Sequence, residues 1–204
     1  MPSHAKREFH PPHVYEDNAC YFLTASTLLG QRLLSTDAKH GVMQDVLKTA
    51  IQQCGVTLYA WVIMANHYHL LLRTSQIAPI YKFVKRLHGA SAVRLNQLDS
   101  TPGRKVWYQY WDRFPRGESD FWAYFNYIHI NPIKHGYVPA PEGLQSVGQE
   151  QALLAPDQIP SVHQYLVQYP YSSYLYYLRE YGREFLTDAW QQHPIIDYLE
   201  NDDF

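Results

Sequence analysis

Two histidines, His67 and His69, flank a single tyrosine, Tyr68. If this stretch is a strand, successive side chains alternate between faces, so both imidazoles point one way while Tyr68, Leu70 and Leu72 point the other. Two imidazoles on one face can share a divalent ion. A lone His-x-His pair is more often an ordinary solvated pair, so the spacing by itself decides little. A second group follows in Tyr127-Ile128-His129-Ile130-Asn131-Pro132. On a helix, Tyr127 and Asn131 lie one turn apart and project together, with His129 directed away. A phenol able to attack phosphorus, beside an amide oxygen able to complete a metal site, is a workable pair. Pro132 disfavours helical geometry at Asn131, which predicts that the helix makes its final turn there. The chain holds 18 tyrosines, most of which must serve packing, so Tyr127 is singled out by its neighbours and not by its type.

The elements that would position these residues follow from periodicity. Residues 21–26 are rich in β-favouring side chains and read as a first strand. Val42, Val46, Leu47 and Ile51 recur at helical spacing and predict a helix over 42–54. Residues 56–64 and 67–73 read as two strands joined by a tight turn at Ala65-Asn66. A long amphipathic helix comes next, with Ile80, Phe83, Val84, Leu87, Leu95 and Leu98 on its apolar face. Residues 106–114 read as a fourth strand, and 120–130 as a helix capped by Ser119 or Asp120. The order β-α-β-β-α-β, then a helix, is an α+β, ferredoxin-like split βαβ pattern: an antiparallel sheet with helices on one face and the other face open, across which the last helix can lie to bring Tyr127 within reach of the two imidazoles. A further helix is expected over 173–181.

The chain of 204 residues, 46% hydrophobic and 18% charged, is of globular composition. No apolar run approaches the ~18 residues needed to span a bilayer, and the first residues lack an apolar signal core, so a cytoplasmic protein is expected. Cys20 and Cys54 have no metal-type spacing and read as reduced thiols. The net charge of −2 at first disfavours a polyanionic partner, but it is an average. Residues 1–138 carry 15 Lys and Arg against 9 Asp and Glu, whereas residues 139–204 carry 2 against 10. The expected division is therefore a basic catalytic domain, 1–138, and an acidic C-terminal extension, 139–204, packed on it and lying away from the basic face. Lys82, Lys85, Arg86, Arg94, Arg104, Lys105, Arg113, Arg116 and Lys134 supply most of the basic charge, and Trp107, Tyr108, Tyr110 and Trp122 are aromatics that could stack on bases.

Taken together, Tyr110-Trp111-Asp112-Arg113, Ser119-Asp120-Phe121 and the run from Tyr127 through Asn131-Pro132-Ile133-Lys134-His135-Gly136-Tyr137-Val138 resemble the end of the catalytic domain of the REP-associated tyrosine transposases. These are single-tyrosine members of the HUH nuclease superfamily, related to the transposases of the smallest bacterial insertion sequences. Met64-Ala65-Asn66-His67-Tyr68-His69 is similar to the family's HUH strand, Arg86-Leu87-His88-Gly89 and Val106-Trp107 fall where the family has its long helix and fourth strand, and Tyr169-Pro170-Tyr171-Ser172-Ser173-Tyr174 resembles a further element. The resemblance covers roughly residues 18 to 180. It implies that Tyr127 is the nucleophile, that His67, His69 and Asn131 hold Mg²⁺ or Mn²⁺, and that the nine cations contact DNA. It further implies cleavage and strand transfer on single-stranded DNA beside imperfect palindromic hairpins, through a 5′-phosphotyrosine, by a monomer. Two other readings remain open: a domesticated DNA-binding regulator with little turnover, and a metallohydrolase that uses the two histidines with Asp112 and an activated water.

Overall fold

The computed structural model describes residues 18–140 and 159–193. Four strands, β1 (Cys20–Thr27), β2 (Thr57–Ile63), β3 (His67–Arg73) and β4 (Trp107–Arg113), form one antiparallel sheet in the order β2-β3-β1-β4. The helices are α1 (Asp37–Cys54), α2 (Ile80–Leu98), α3 (Glu118–Lys134), α4 (Ile159–Leu166) and α5 (Tyr174–Gln192). This is the ferredoxin-like α+β arrangement, with a helical extension. No helix among the described residues is long and apolar enough to cross a membrane.

The alternation of β3 divides the core in two. Tyr68, Leu70 and Leu72 face α1 and α2, together with Tyr21 and Leu23 of β1 and Phe83 and Leu87 of α2. Leu71 faces the other way, with Phe22, Ala60 and Val62. That second face has the last helix of the expected pattern lying across it. Its apolar side chains, each worth ~1.5–3 kcal/mol when withdrawn from water, are covered by α3, which packs over β2 and β3. The far side of α3 is covered in turn by α4 and α5, so every residue from Ala123 to Ile133 is buried. A helix apolar all round reads as buried on all sides. The β4 half of the same face keeps Trp111 partly exposed and Arg113 exposed.

Several boundaries differ from expectation for local reasons. Helix α1 begins at Asp37 because Thr36 caps it, its side chain accepting from Lys39 N. Leu98 is half exposed while Asn96 is buried, because Asn96 bonds the Arg104 carbonyl and guanidinium and draws the end of α2 onto the following loop. Gly182 breaks α5 with φ 84°, but the helix resumes to Gln192. Gly117 stands at the cap position of α3, with no side-chain cap bond.

The segment between α4 and α5 runs along the edge of β2. Ile63 N donates to Tyr171 O at 2.9 Å, Ser173 N to Trp61 O at 2.9 Å, and Tyr169 OH to Ile63 O at 2.7 Å. Tyr171 OH also reaches Asp37 Oδ1 at 2.6 Å, and its ring stacks on His40. Of the ten acidic residues in 139–204, Glu180, Glu184 and Asp188 fall within the described residues and all are exposed. The remaining seven lie outside them.

Three histidines, each bonded to another element, hold these layers together. His88 Nε2 pairs with Tyr68 OH, His129 Nε2 with Ser173 Oγ, and His163 bridges Tyr174 OH and Thr187 Oγ1. Burial depresses His88 and His129 to about 3 and His163 to about 4. The unfolded chain binds these protons near pH 6.5, so below that pH the unfolded state holds more protons and stability falls. Three such groups together give a slope of about 4 kcal/mol per pH unit, against a total stability of ~5–15 kcal/mol. Acid unfolding, followed by tryptophan fluorescence, is expected between about pH 5 and 4 with uptake of at least five protons, because His67 and His69 are depressed by burial as well. A native signal persisting to about pH 3 would contradict it.

Candidate active site

His67 and His69 lie side by side on the α3 face of β3, their ring centroids 5.0 Å apart, and both are buried. Each ring is fixed from its own end. His67 Nδ1 bonds Asn66 Oδ1 at 2.8 Å. An amide oxygen only accepts, so Nδ1 carries the proton and Nε2 presents a lone pair. His69 Nδ1 bonds Thr24 Oγ1 at 2.8 Å, Thr24 being its register partner on β1. Burial, followed by the charges of His135 and Lys134, depresses His67 to about 3. Burial, followed by His67, His135 and Lys134, holds His69 well below the ordinary imidazole range. Both are neutral at physiological pH, the state a metal ligand requires.

Helix α3 brings the second group to the first. Tyr127 is buried, its ring edge-on to His69 at 5.5 Å and to Phe22 at 6.0 Å. Asn131, one turn on, donates its amide N–H to Tyr127 O at 2.7 Å. Its Oδ1 is buried with no hydrogen-bond partner at normal distance, and both histidine rings lie near enough to feel it. His129 points away, to Ser173. Among the described residues no group of three or more His, Cys, Asp or Glu side chains is placed to hold a metal. Any metal here therefore depends on an N,N,O set, and an orphaned buried amide oxygen beside two neutral imidazoles fits that set for Mg²⁺ or Mn²⁺.

Pro132 lies inside α3 and not beyond its end; the helix continues to Lys134. The end of the helix is closed by Gly136, φ 68°, and by Tyr137 N and Val138 N donating to Pro132 O. Tyr137 OH then reaches back to Ala65 N at 3.0 Å, tying the end of α3 to the turn that precedes His67. This continuation brings Lys134 onto the Tyr127 face, seven residues on. Lys134 Nζ donates to Tyr127 OH at 3.0 Å and sits 5.0 Å above its ring. His135 adds an imidazole 4.9 Å from that of His67. Charge alone marks Lys134 as a DNA contact and assigns His135 no role; spacing of i, i+4 and i+7 from Tyr127 is the signal in the sequence that singles out Lys134.

The remaining cations are scattered. Lys82, Lys85, Arg86 and Arg94 belong to α2, on the opposite side of the sheet from His67 and His69, and Arg86 and Arg94 are turned to Gln53 and Asp45 of α1. Arg104 is held by Asp99 at 2.7 Å and by Asn96. Lys105 lies over the Tyr108 ring. Arg113 and Arg116 line a cleft between the end of β4 and the start of α3. Of the aromatics, Trp107 is buried against His88, Tyr110 packs on the α1 and α2 side, and Trp122 packs on Phe125 and Phe185. Asp112 pairs with Leu23, on the α1 and α2 side of the sheet. The metallohydrolase reading loses its carboxylate on that ground.

The family model described as "Transposase IS200 like" matches residues 30–131, half of the chain. No curated protein matches the sequence. A REP-associated tyrosine transposase bound to a REP hairpin has a similar structure, with a TM-score of 0.59 over 84% of this chain and 86% of its own, at 15% identity. That likeness is one of fold. The crystal structure of a "putative transposase" from Deinococcus radiodurans R1 is 26% identical, covering 52% of this chain and 85% of its own, with a TM-score of 0.41.

Proposed function

The chain belongs to the IS200-like transposase family, and from that premise we propose that it cleaves and rejoins single-stranded DNA with Tyr127 as nucleophile. The observation that carries the reading is Tyr127 itself, its ring edge-on to His69 and its hydroxyl bonded by the Lys134 ammonium, on the helical face it shares with Asn131. Nothing in core packing calls for this combination. In the forward step the Tyr127 oxygen bonds to phosphorus, the bond from phosphorus to the 3′ oxygen breaks, the phenol loses its proton and the departing 3′ oxygen gains one. The product is a 5′-phosphotyrosine and a free 3′-OH, and a second 3′-OH reverses the step without ATP. Lys134 holds the attacking oxygen in place and sets a positive charge beside the phosphate. Mg²⁺ or Mn²⁺ on His67 Nε2, His69 Nε2 and Asn131 Oδ1 would polarise the phosphate when bound. The substrate class, by the resemblance of the motifs, is single-stranded DNA beside imperfect palindromic hairpins, acted on by a monomer; the transposase of similar fold is bound to a REP hairpin.

The test is incubation with a single-stranded hairpin oligonucleotide and Mn²⁺, followed by a denaturing gel. A covalent protein–DNA band supports the reading, whereas binding without a band is the result expected of a domesticated regulator. Lys134→Met keeps the aliphatic stem and removes the charge. It is expected to slow single-turnover adduct formation by about 10²-fold with little change in DNA affinity, and Lys134→Arg to recover part of the rate. Equal losses in rate and affinity would make Lys134 a DNA contact only.

A further inference from the structure

The cleft at the end of β4 is a site of its own. It encloses about 530 Å³ and is lined by Arg113, Phe114, Arg116, Asp120 and Tyr124. We propose that it takes one unpaired nucleotide of the DNA strand that passes the Tyr127 hydroxyl, and that Asp120 selects its base; this rests on the function proposed above. The position supports it. Arg113 is opposite Phe22 in the sheet register and so lies on the His69 face. The Phe22 ring is sandwiched between Tyr124 at 4.4 Å and His69 at 5.6 Å, both stacked, so the Tyr124 wall of the cleft is one ring removed from His69. Tyr124 precedes Tyr127 by one helical turn on the same helix. A strand with its scissile phosphate at Tyr127 thus has its neighbouring nucleotide at this cleft.

The chemistry of the lining matches a nucleotide part by part. Phe114, half-buried against Tyr21, offers its remaining aromatic surface to a base, which stacks without regard to sequence, while the buried Tyr124 backs the cleft. Arg113 and Arg116, both exposed at the rim, meet a phosphate with planar, forked donors. Asp120 adds selectivity. Its Oδ2 accepts from Arg116 N at 3.0 Å, which fixes the carboxylate at the cleft. A carboxylate only accepts, so it favours a base that presents an amino group, such as cytosine, over thymine with its carbonyl at that position.

The test is equilibrium binding of fluorescein-labelled dC12 and dT12 in EDTA, by anisotropy, with adduct formation on the hairpin oligonucleotide measured separately. The wild-type protein is expected to bind dC12 about five- to tenfold more tightly than dT12. Asp120→Asn preserves the acceptor for Arg116 N and is expected to erase that gap. Arg116→Ala, an exposed position, is expected to weaken both oligonucleotides about fivefold and to lower the salt slope by about 0.7. No gap in the wild type, or a gap unchanged in Asp120→Asn, overturns the base selection; unchanged affinities in Arg116→Ala and Phe114→Ala overturn the cleft as a site. If these effects appear while the wild type forms no adduct, the nucleotide site stands and the Tyr127 chemistry falls; an adduct without these effects leaves the Tyr127 chemistry standing and removes the nucleotide site.

Discussion

Tyr127→Phe is expected to give a folded protein that binds single-stranded DNA and forms no covalent link to it. The ring is fully buried among Phe22, His69 and the rest of the α3 core, and phenylalanine fills the same space. What is removed is one hydroxyl and its bond from Lys134 Nζ, at a cost of about 1 kcal/mol. The loss in reaction rate is of another order. Removing a nucleophile that acts as part of a unit costs roughly 10⁴–10⁶-fold, which in a gel assay is disappearance of the adduct. Circular dichroism and oligonucleotide affinity should stay near wild-type values. An adduct of wild-type intensity would transfer the nucleophile elsewhere and leave Tyr127 as packing.

The second large effect concerns the two histidines. His67→Gln and His69→Gln are expected to slow Mn²⁺-dependent adduct formation by about 10²–10³-fold or more. Thermal stability gives an answer independent of turnover. A ligand that binds only the folded state at a hundred times its Kd stabilises it by about 2.7 kcal/mol, a readily measured rise in Tm. That rise should be present in the wild type, present in Tyr127→Phe, and absent or much reduced in both glutamine variants. Asn131→Ala should reduce it too, because its buried Oδ1 has no hydrogen-bond partner at normal distance to account for its placement. A rise of equal size in all of these proteins would place the ion elsewhere.

Legibility in the sequence follows the range of the forces involved. Strand β3 is read to the residue, because alternation of His67, His69 and Leu71 with Tyr68, Leu70 and Leu72 has period two and clear turn residues before it. The pairing of Tyr127 with Asn131 is equally local. Lys134 is not placed by sequence because Pro132 is a helix stop by its own preference, and nothing local announces that the helix runs on to Lys134 before Tyr137 N and Val138 N close it on the Pro132 carbonyl. The tyrosine helix is expected across the second sheet face, but nothing local announces the further layer over it. The near-continuous apolarity of α3, from Ala123 to Ile133, carries the information, but it becomes readable only once α4 and α5 are known to return over that helix. The cations of α2 illustrate the converse. Their clustering is evident in the chain, whereas their location behind the sheet depends on which of its faces α2 covers.

The strand edge closed by residues 169–173 sets where the protein can be cut. A fragment ending at Asn131, where the recognisable family pattern stops, or at Val138, where the basic portion stops, leaves the N–H and C=O groups of Trp61 and Ile63 without Ser173, Tyr171 and Tyr169. A bare β2 edge of that kind is a template for adding a strand from a neighbouring molecule. The smallest fragment suited to expression therefore ends after α5, well past every residue assigned to the chemistry. Kinship is written in one stretch of this chain, and its solubility in another.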